Sequence, residues 1–404
     1  MSLNTTAERV IRAAAVLVVV AIIVGAALLS IPSDKNADTR DFSEFYGAAQ
    51  IVADGMGARL YDTDLQSQFI SRVAAVHTFY QHPPFQTLVF LPLIQFSYRA
   101  AFRLWILVSL LLLVGAAWLL ESQTRVSLAL SHYARMNADF GLVVVVFLTF
   151  APATTCLLIG QDSMLILFIY TLVFLLLKRN SPVFAGCVLA LGLYKFQLIM
   201  PFVLILLARR KWSTLAGFST VAGLLVVISI AISGFQVVGT YTRLLLFSAT
   251  DQTGASSPPE FMPNIRGIVY LLLHRWVAPS VLLILVGVLS VITLWLTARR
   301  WRDDQFELSF SAAIIATLLT SYHLLNYDLT LLLLPVGIAC GELAKQKRLR
   351  AAFPLLPAGL MILLIHPLHT VLVRYAIYAL MFIPVFALFL ATLRLTEPAQ
   401  EITK

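Results

Sequence analysis

Runs of about 20 apolar residues recur along this chain, and each is long enough to cross ~30 Å of hydrocarbon as a helix. Residues 13–31 are the clearest case: they hold no charge and follow Arg9 and Arg12. A backbone inside lipid must satisfy its own hydrogen bonds, so the spans must be helices or a closed barrel. The short period-two alternation of barrel strands is absent. Only 12% of the 404 residues are charged, about half the share usual in soluble domains. The fold class is therefore an all-α polytopic membrane protein.

The run at 13–31 exceeds the apolar core of a cleavable leader, which spans about 7–15 residues, so it reads as an uncleaved first helix. Further spans are expected near 102–120, 140–157, 163–177, 183–194, 196–208, 213–233, 278–298, 308–322, 327–341, 353–369 and 374–394. That makes twelve crossings in one integral membrane domain over 1–404. Pieces near 84–97 and 266–276 contain or flank Pro and Arg and read as half-helices lining a cavity. Clusters such as Arg209–Lys211 and the KQKRLR run sit in short loops, which places those loops and both termini in the cytoplasm. The net charge of +9 thus marks membrane orientation, not nucleic acid. Three isolated cysteines, Cys156, Cys187 and Cys340, form no metal or disulfide pattern.

Two segments, 32–83 and 234–265, then face the outside. The first contains DFSEFYGAAQIVA, in which Phe42, Phe45, Tyr46, Ala49 and Val52 recur at helical spacing; an amphipathic helix lying in the interface is expected. The second is rich in Gly, Ser and Pro and reads as a mobile loop over a site. With this topology the polar residues collect on one side: Asp41, His82, Gln161 with Asp162, Lys195, Asn264 with Arg266, and His323 with Asn326 and Asp328. Charges near mid-membrane are costly and mark pairs or functional sites, and Lys195 is the only charge between Arg179 and Arg209.

Each of these residues also has a structural reading. Asp41 with Glu44 fits a capping box, Lys195 could snorkel, and Gln161 with Asp162 could cap a turn. His82 could be a plain loop residue, and His323 could pair with Asp328. On the functional side, no P-loop or Rossmann fingerprint is present, so no nucleotide or nucleotide-sugar has a place. A group donor would come from the membrane, with its anionic head met by Lys195 and Arg266 and a carboxylate or histidine serving the acceptor hydroxyl. A lipid or glycolipid transporter or flippase would use a similar cavity, but would usually carry an internal repeat; none is evident.

The motif set DFSEFYGAAQIVADGMGARLYD, HPPFQTLVFLPL followed by LW, GQDSMLIL, YKFQLIMPFVLILLARRKW and SYHLLNYDLTLLLLP resembles, in order, the pattern of glycosyltransferase family 87. The resemblance covers about residues 41–335. It departs at Phe196, where the family has Pro, and at His82, where the family has an aromatic. It implies a type-C glycosyltransferase-like bundle in a bacterial inner membrane, with its active site on the outer face. It also implies inverting transfer of a hexose, mannose by this likeness, from a polyprenyl-phosphate donor to a glycolipid or glycan acceptor. Asp41 takes the position of the catalytic base. Lys195, His323, Gln161, Arg266 and Asp328 are assigned to donor phosphate and sugar, and His82, Tyr46 and Asn264 to the acceptor or lipid entrance. No cofactor is expected, and a divalent metal is not indicated by the spacing of Asp62 and Asp64. Membrane lipids are the remaining expected partners.

Overall fold

The computed structural model describes residues 38–134, 138–250, 258–346 and 365–396, with isolated positions within 14–35 and 359–364. The described residues are helical with connecting turns and contain no strand. By length and composition, six helical runs are long and apolar enough to cross a bilayer: Tyr98–Thr124, Pro182–Ala208 (in two arms), Trp212–Ser233, Pro279–Arg300, Asn326–Lys345 and Tyr378–Leu395. A seventh is added if Phe140–Thr149 and Ala151–Ile159, bent by 67°, form one span. Twelve crossings were expected, and the shortfall has physical causes. Ser163–Lys178 and Phe306–Thr320 are apolar but only 16 and 15 residues long, and the expected runs at 13–31 and 353–369 lie largely outside the described residues.

The run Pro182–Ala208 sets the depth of everything that follows. Its middle, Gly192–Lys195, is a 3-10 turn between two α-helical arms, Pro182–Leu191 and Phe196–Ala208. Drawn straight, 24 residues at 1.5 Å each would put Pro182 and Leu206 about 36 Å apart. Both instead line one cavity with Lys178 and Arg210. The run therefore rises to Lys195 and returns. The rising arm lies beside Trp212–Ser233 through a glycine crossing. A Cβ on Gly186 would stand 1.9 Å from the Thr214 carbonyl oxygen, and one on Gly217 2.0 Å from that of Val183. Only hydrogen fits at either place.

The helix Phe42–Ala53 is not the interfacial element expected from its periodicity. Phe42 to Ala49 and Ile51 are all buried, because an aromatic cluster closes over its outer side. Phe45 stacks on Phe90 with centroids 4.7 Å apart, and Phe42 meets Phe102 edge-on at 5.4 Å. The broken apolar segment Pro84–Gln95 and the first turns of Tyr98–Thr124 supply that cover. The segment expected as a mobile loop at 234–265 is helical over Gln236–Thr250; residues 251–257 lie outside the described residues. Its VVGTYTRLLL stretch carries enough apolar residues at helical spacing to outweigh the flanking Gly and Ser.

Candidate functional site

At the end of the bundle reached by Lys195, a cavity of about 400 Å³ opens among segments distant in sequence. Its wall includes Asp41, Glu44, His77, His82, Gln161, Lys195, His323 and Asp328. Most of them sit at or beside a local break in helix, Glu44 in the first turn of Phe42–Ala53 being the exception. Asp41 precedes Phe42–Ala53. Gly160, at φ +74°, ends Ala151–Ile159 in the left-handed conformation that glycine adopts at no steric cost, and so turns Gln161 toward the site. Lys195 ends the 3-10 turn, and His323 and Asp328 flank the start of Asn326–Leu332.

Asp41 is not a helix cap: its backbone is already helical, and its side chain makes no capping hydrogen bond. Its carboxylate instead accepts from Gln161 Nε2 at 2.7 Å and faces His77 Nε2 at 3.4 Å. The Gln161 contact fixes that amide's orientation, since the flipped amide would set oxygen against oxygen. His77 Nδ1 lies 3.2 Å from the Ala75 carbonyl, so both ring nitrogens face acceptors and the imidazolium alone satisfies both. Burial pushes the His77 imidazole down, but the hydrogen bonds to Asp41 and Ala75 and the Asp41 charge outweigh it, and its net shift is upward.

Glu44 lies one turn on and is buried, accepting from Thr78 Oγ1 at 2.9 Å. Burial, then the charge of Asp41, holds its carboxyl well above the usual range. His82 places Nδ1 3.1 Å from the Tyr194 carbonyl and Nε2 3.9 Å from Glu44; burial lowers its proton affinity against the pull of Asp162. His323 is driven down to about 4 by burial, despite Asp328, and is neutral at ordinary pH.

Lys195 is 2% exposed and enclosed by anions. Its Nζ is 2.6 Å from Asp328 Oδ1, 2.9 Å from Asp162 Oδ1 and 2.8 Å from Ser163 Oγ. Gln86 donates to the other Asp162 oxygen, and the Leu325 amide donates to Asp328 Oδ2 at 3.1 Å. One lysine thus ties together segments near 86, 162, 195 and 328. Two carboxylates against one ammonium leave the cluster anionic, and the three N–H donors of Lys195 are taken by Asp328, Asp162 and Ser163, so it brings no surplus positive charge to the cavity.

Three expected site residues do not reach the cavity wall. Tyr46 is buried in the aromatic cluster, with its hydroxyl on the Phe96 carbonyl at 2.8 Å. Asn264 caps Ile265–Leu273 through Gly267 N at 2.9 Å and donates to the Ser321 carbonyl at 2.7 Å. Arg266 lies 4.2 Å over the Tyr322 ring and donates to the Tyr322 carbonyl at 3.2 Å. It braces a ring that does line the cavity.

The sequence reading missed His77, and it took Glu44 only as a capping partner. The pair of histidines in VHTFYQHPPF was the available signal. Tyr241, from the helix over the former loop, also lines the cavity and stacks on Tyr61 at 5.6 Å. Among the described residues no three His, Cys, Asp or Glu side chains are grouped to hold a metal ion.

Such a site can orient one carboxylate at the cavity, present neutral histidines as hydrogen-bond partners, and keep a buried polar floor. The family whose sequence model matches the chain is glycosyltransferase family 87, over residues 80–335. No curated protein and no solved structure matches.

Proposed function

Because the chain belongs to glycosyltransferase family 87, and is therefore a glycosyltransferase, we propose that it moves a hexose, mannose by its sequence likeness, from a polyprenyl-phosphate donor to a lipid or glycan hydroxyl at the extracytoplasmic face. The observation that carries this reading is Asp41: released from capping, held by Gln161 at 2.7 Å, and set in the same wall as Lys195 and His323.

In the proposed step the acceptor oxygen attacks the anomeric carbon from the face opposite the lipid phosphate. Its proton passes to Asp41, the carbon–oxygen bond to phosphate breaks, and the electron pair leaves on the phosphate, inverting the anomeric centre. His77 faces the Asp41 carboxylate and Gln161 keeps that carboxylate aimed at the acceptor's proton. The phosphate lies toward Lys195 and His323: uncharged His323 can donate a hydrogen bond to it, and Lys195, its charge already countered by Asp162 and Asp328, donates only by turning one N–H away from Ser163. The helix Gln236–Thr250, through Tyr241, covers the cavity and excludes water that would hydrolyse the donor.

The purified protein, given polyprenyl-phosphate hexose or a nucleotide-hexose in parallel with an acceptor lipid, tests the donor class. Transfer from the lipid donor alone is expected. Transfer from the nucleotide-sugar alone would overturn the reading.

A further inference from the structure

A second cavity, of about 680 Å³, lies at the opposite end of the bundle, where the two arms of the Lys195 turn come back together. Its charged lining comprises Lys178, Arg210, Lys211, Asp303 and Glu307. Lys178 pairs with Glu307 at 2.9 Å and Lys211 with Asp303 at 2.8 Å. Arg210 is left over, exposed and with no charged or hydrogen-bonded side-chain partner among the described residues. Three cations against two carboxylates give the lining a surplus positive charge. Both ion pairs are part-exposed, so each is weak and can exchange for another anion.

The depth of this cavity is set by tryptophan. Trp212, 61% exposed, lines its mouth, and exposed tryptophans favour the level of the lipid headgroups; Trp301 lines the interior, buried against Phe306. From its rim Val183 and Phe184 face outward along the Pro182–Leu191 arm, an apolar strip on which an acyl chain can lie. A basic recess between transmembrane helices at headgroup depth, continuous with an apolar strip, matches the two ends of a phospholipid.

We propose that this cavity binds an anionic membrane phospholipid, its phosphate on Arg210 and Lys211 and its chain along Val183 and Phe184. The inference stands apart from the transfer reaction, since the cavity shares no lining residue with the Asp41 site. It gives the protein a lipid requirement at the membrane face away from catalysis.

The test uses the full chain in neutral detergent, with phosphatidylglycerol, phosphatidylcholine or inorganic phosphate added, reading bound lipid by native mass spectrometry and thermal unfolding by fluorescence. Arg210 sits at φ +55°, a conformation asparagine tolerates, so Arg210→Asn removes the charge without straining the turn. Arg243→Gln, on the helix beside the other cavity, is the control for loss of any exposed charge. Phosphatidylglycerol should bind in preference to phosphatidylcholine and raise the unfolding temperature. Arg210→Asn should weaken phosphatidylglycerol binding about fivefold, and Arg243→Gln should not change it. Equal binding of the two lipids, or wild-type binding by Arg210→Asn, overturns the proposal. Inorganic phosphate stabilising as strongly as phosphatidylglycerol would assign the cavity to a free anion and overturn its lipid half.

Discussion

Replacing Lys195 by methionine is expected to damage stability first and donor handling second. Methionine fills the volume of the lysine stem but leaves Asp162 and Asp328 facing each other with no cation, in a place where Lys195 is only 2% exposed. Removing one partner of a buried pair costs about 3–5 kcal/mol, because the uncompensated charge stays behind. Here two carboxylates are stranded, each at 2.9 Å or less from the missing ammonium, so the loss should reach the upper part of that range. Adding Asp328→Asn to Lys195→Met removes one stranded charge and should recover part of the loss, giving a coupling energy of about 1–3 kcal/mol in a double-mutant cycle. The assay is thermal unfolding of wild type, both single variants and the double variant in one detergent. Wild-type unfolding of Lys195→Met, or strictly additive effects, would refute the claim that this lysine is the keystone between residues 162 and 328.

Four further outcomes follow from the same geometry. Glu44 is raised in the fold, so the folded state holds its proton more tightly than the unfolded one and stability falls as pH rises above 4.5; Glu44→Gln should flatten that slope in unfolding measured from pH 4 to 8. His323 is lowered to about 4 from 6.5, so stability is lost as pH falls through that window, and His323→Gln should lose less of it over the same range. His77→Gln should leave unfolding near wild type while lowering kcat, since the imidazole facing the Asp41 carboxylate is gone; an unchanged kcat would remove His77 from the mechanism. Gly186→Ala forces a methyl group 1.9 Å from the Thr214 carbonyl and should cost roughly 1–3 kcal/mol in the same unfolding assay.

The membrane helices were legible because apolar length is a property of contiguous sequence. So was the gathering of Asp41, His82, Gln161, Lys195, His323 and Asp328, since each sits at a break between apolar runs. Partner choice was not legible. Nothing near Lys195 in sequence announces Asp162, 33 residues before it, or Asp328, 133 after it, and an isolated lysine reads as a free cation until its partners are placed. Periodicity misled for Phe42–Ala53, whose apolar face meets protein where the membrane interface was expected: Phe42 packs on Phe90, Tyr98 and Phe102, residues 48 to 60 positions on. Asn264, expected at the acceptor or lipid entrance, is instead the cap of Ile265–Leu273.

The central claim is that Asp41 removes the acceptor's proton. Single-turnover transfer of radiolabelled hexose from polyprenyl phosphate, by folded wild type and Asp41→Asn at saturating donor, measures that step alone. General-base catalysis contributes about 10²–10⁴-fold, so Asp41→Asn should slow transfer by at least ~100-fold while binding donor lipid as wild type does. Transfer by Asp41→Asn at the wild-type rate would contradict the account.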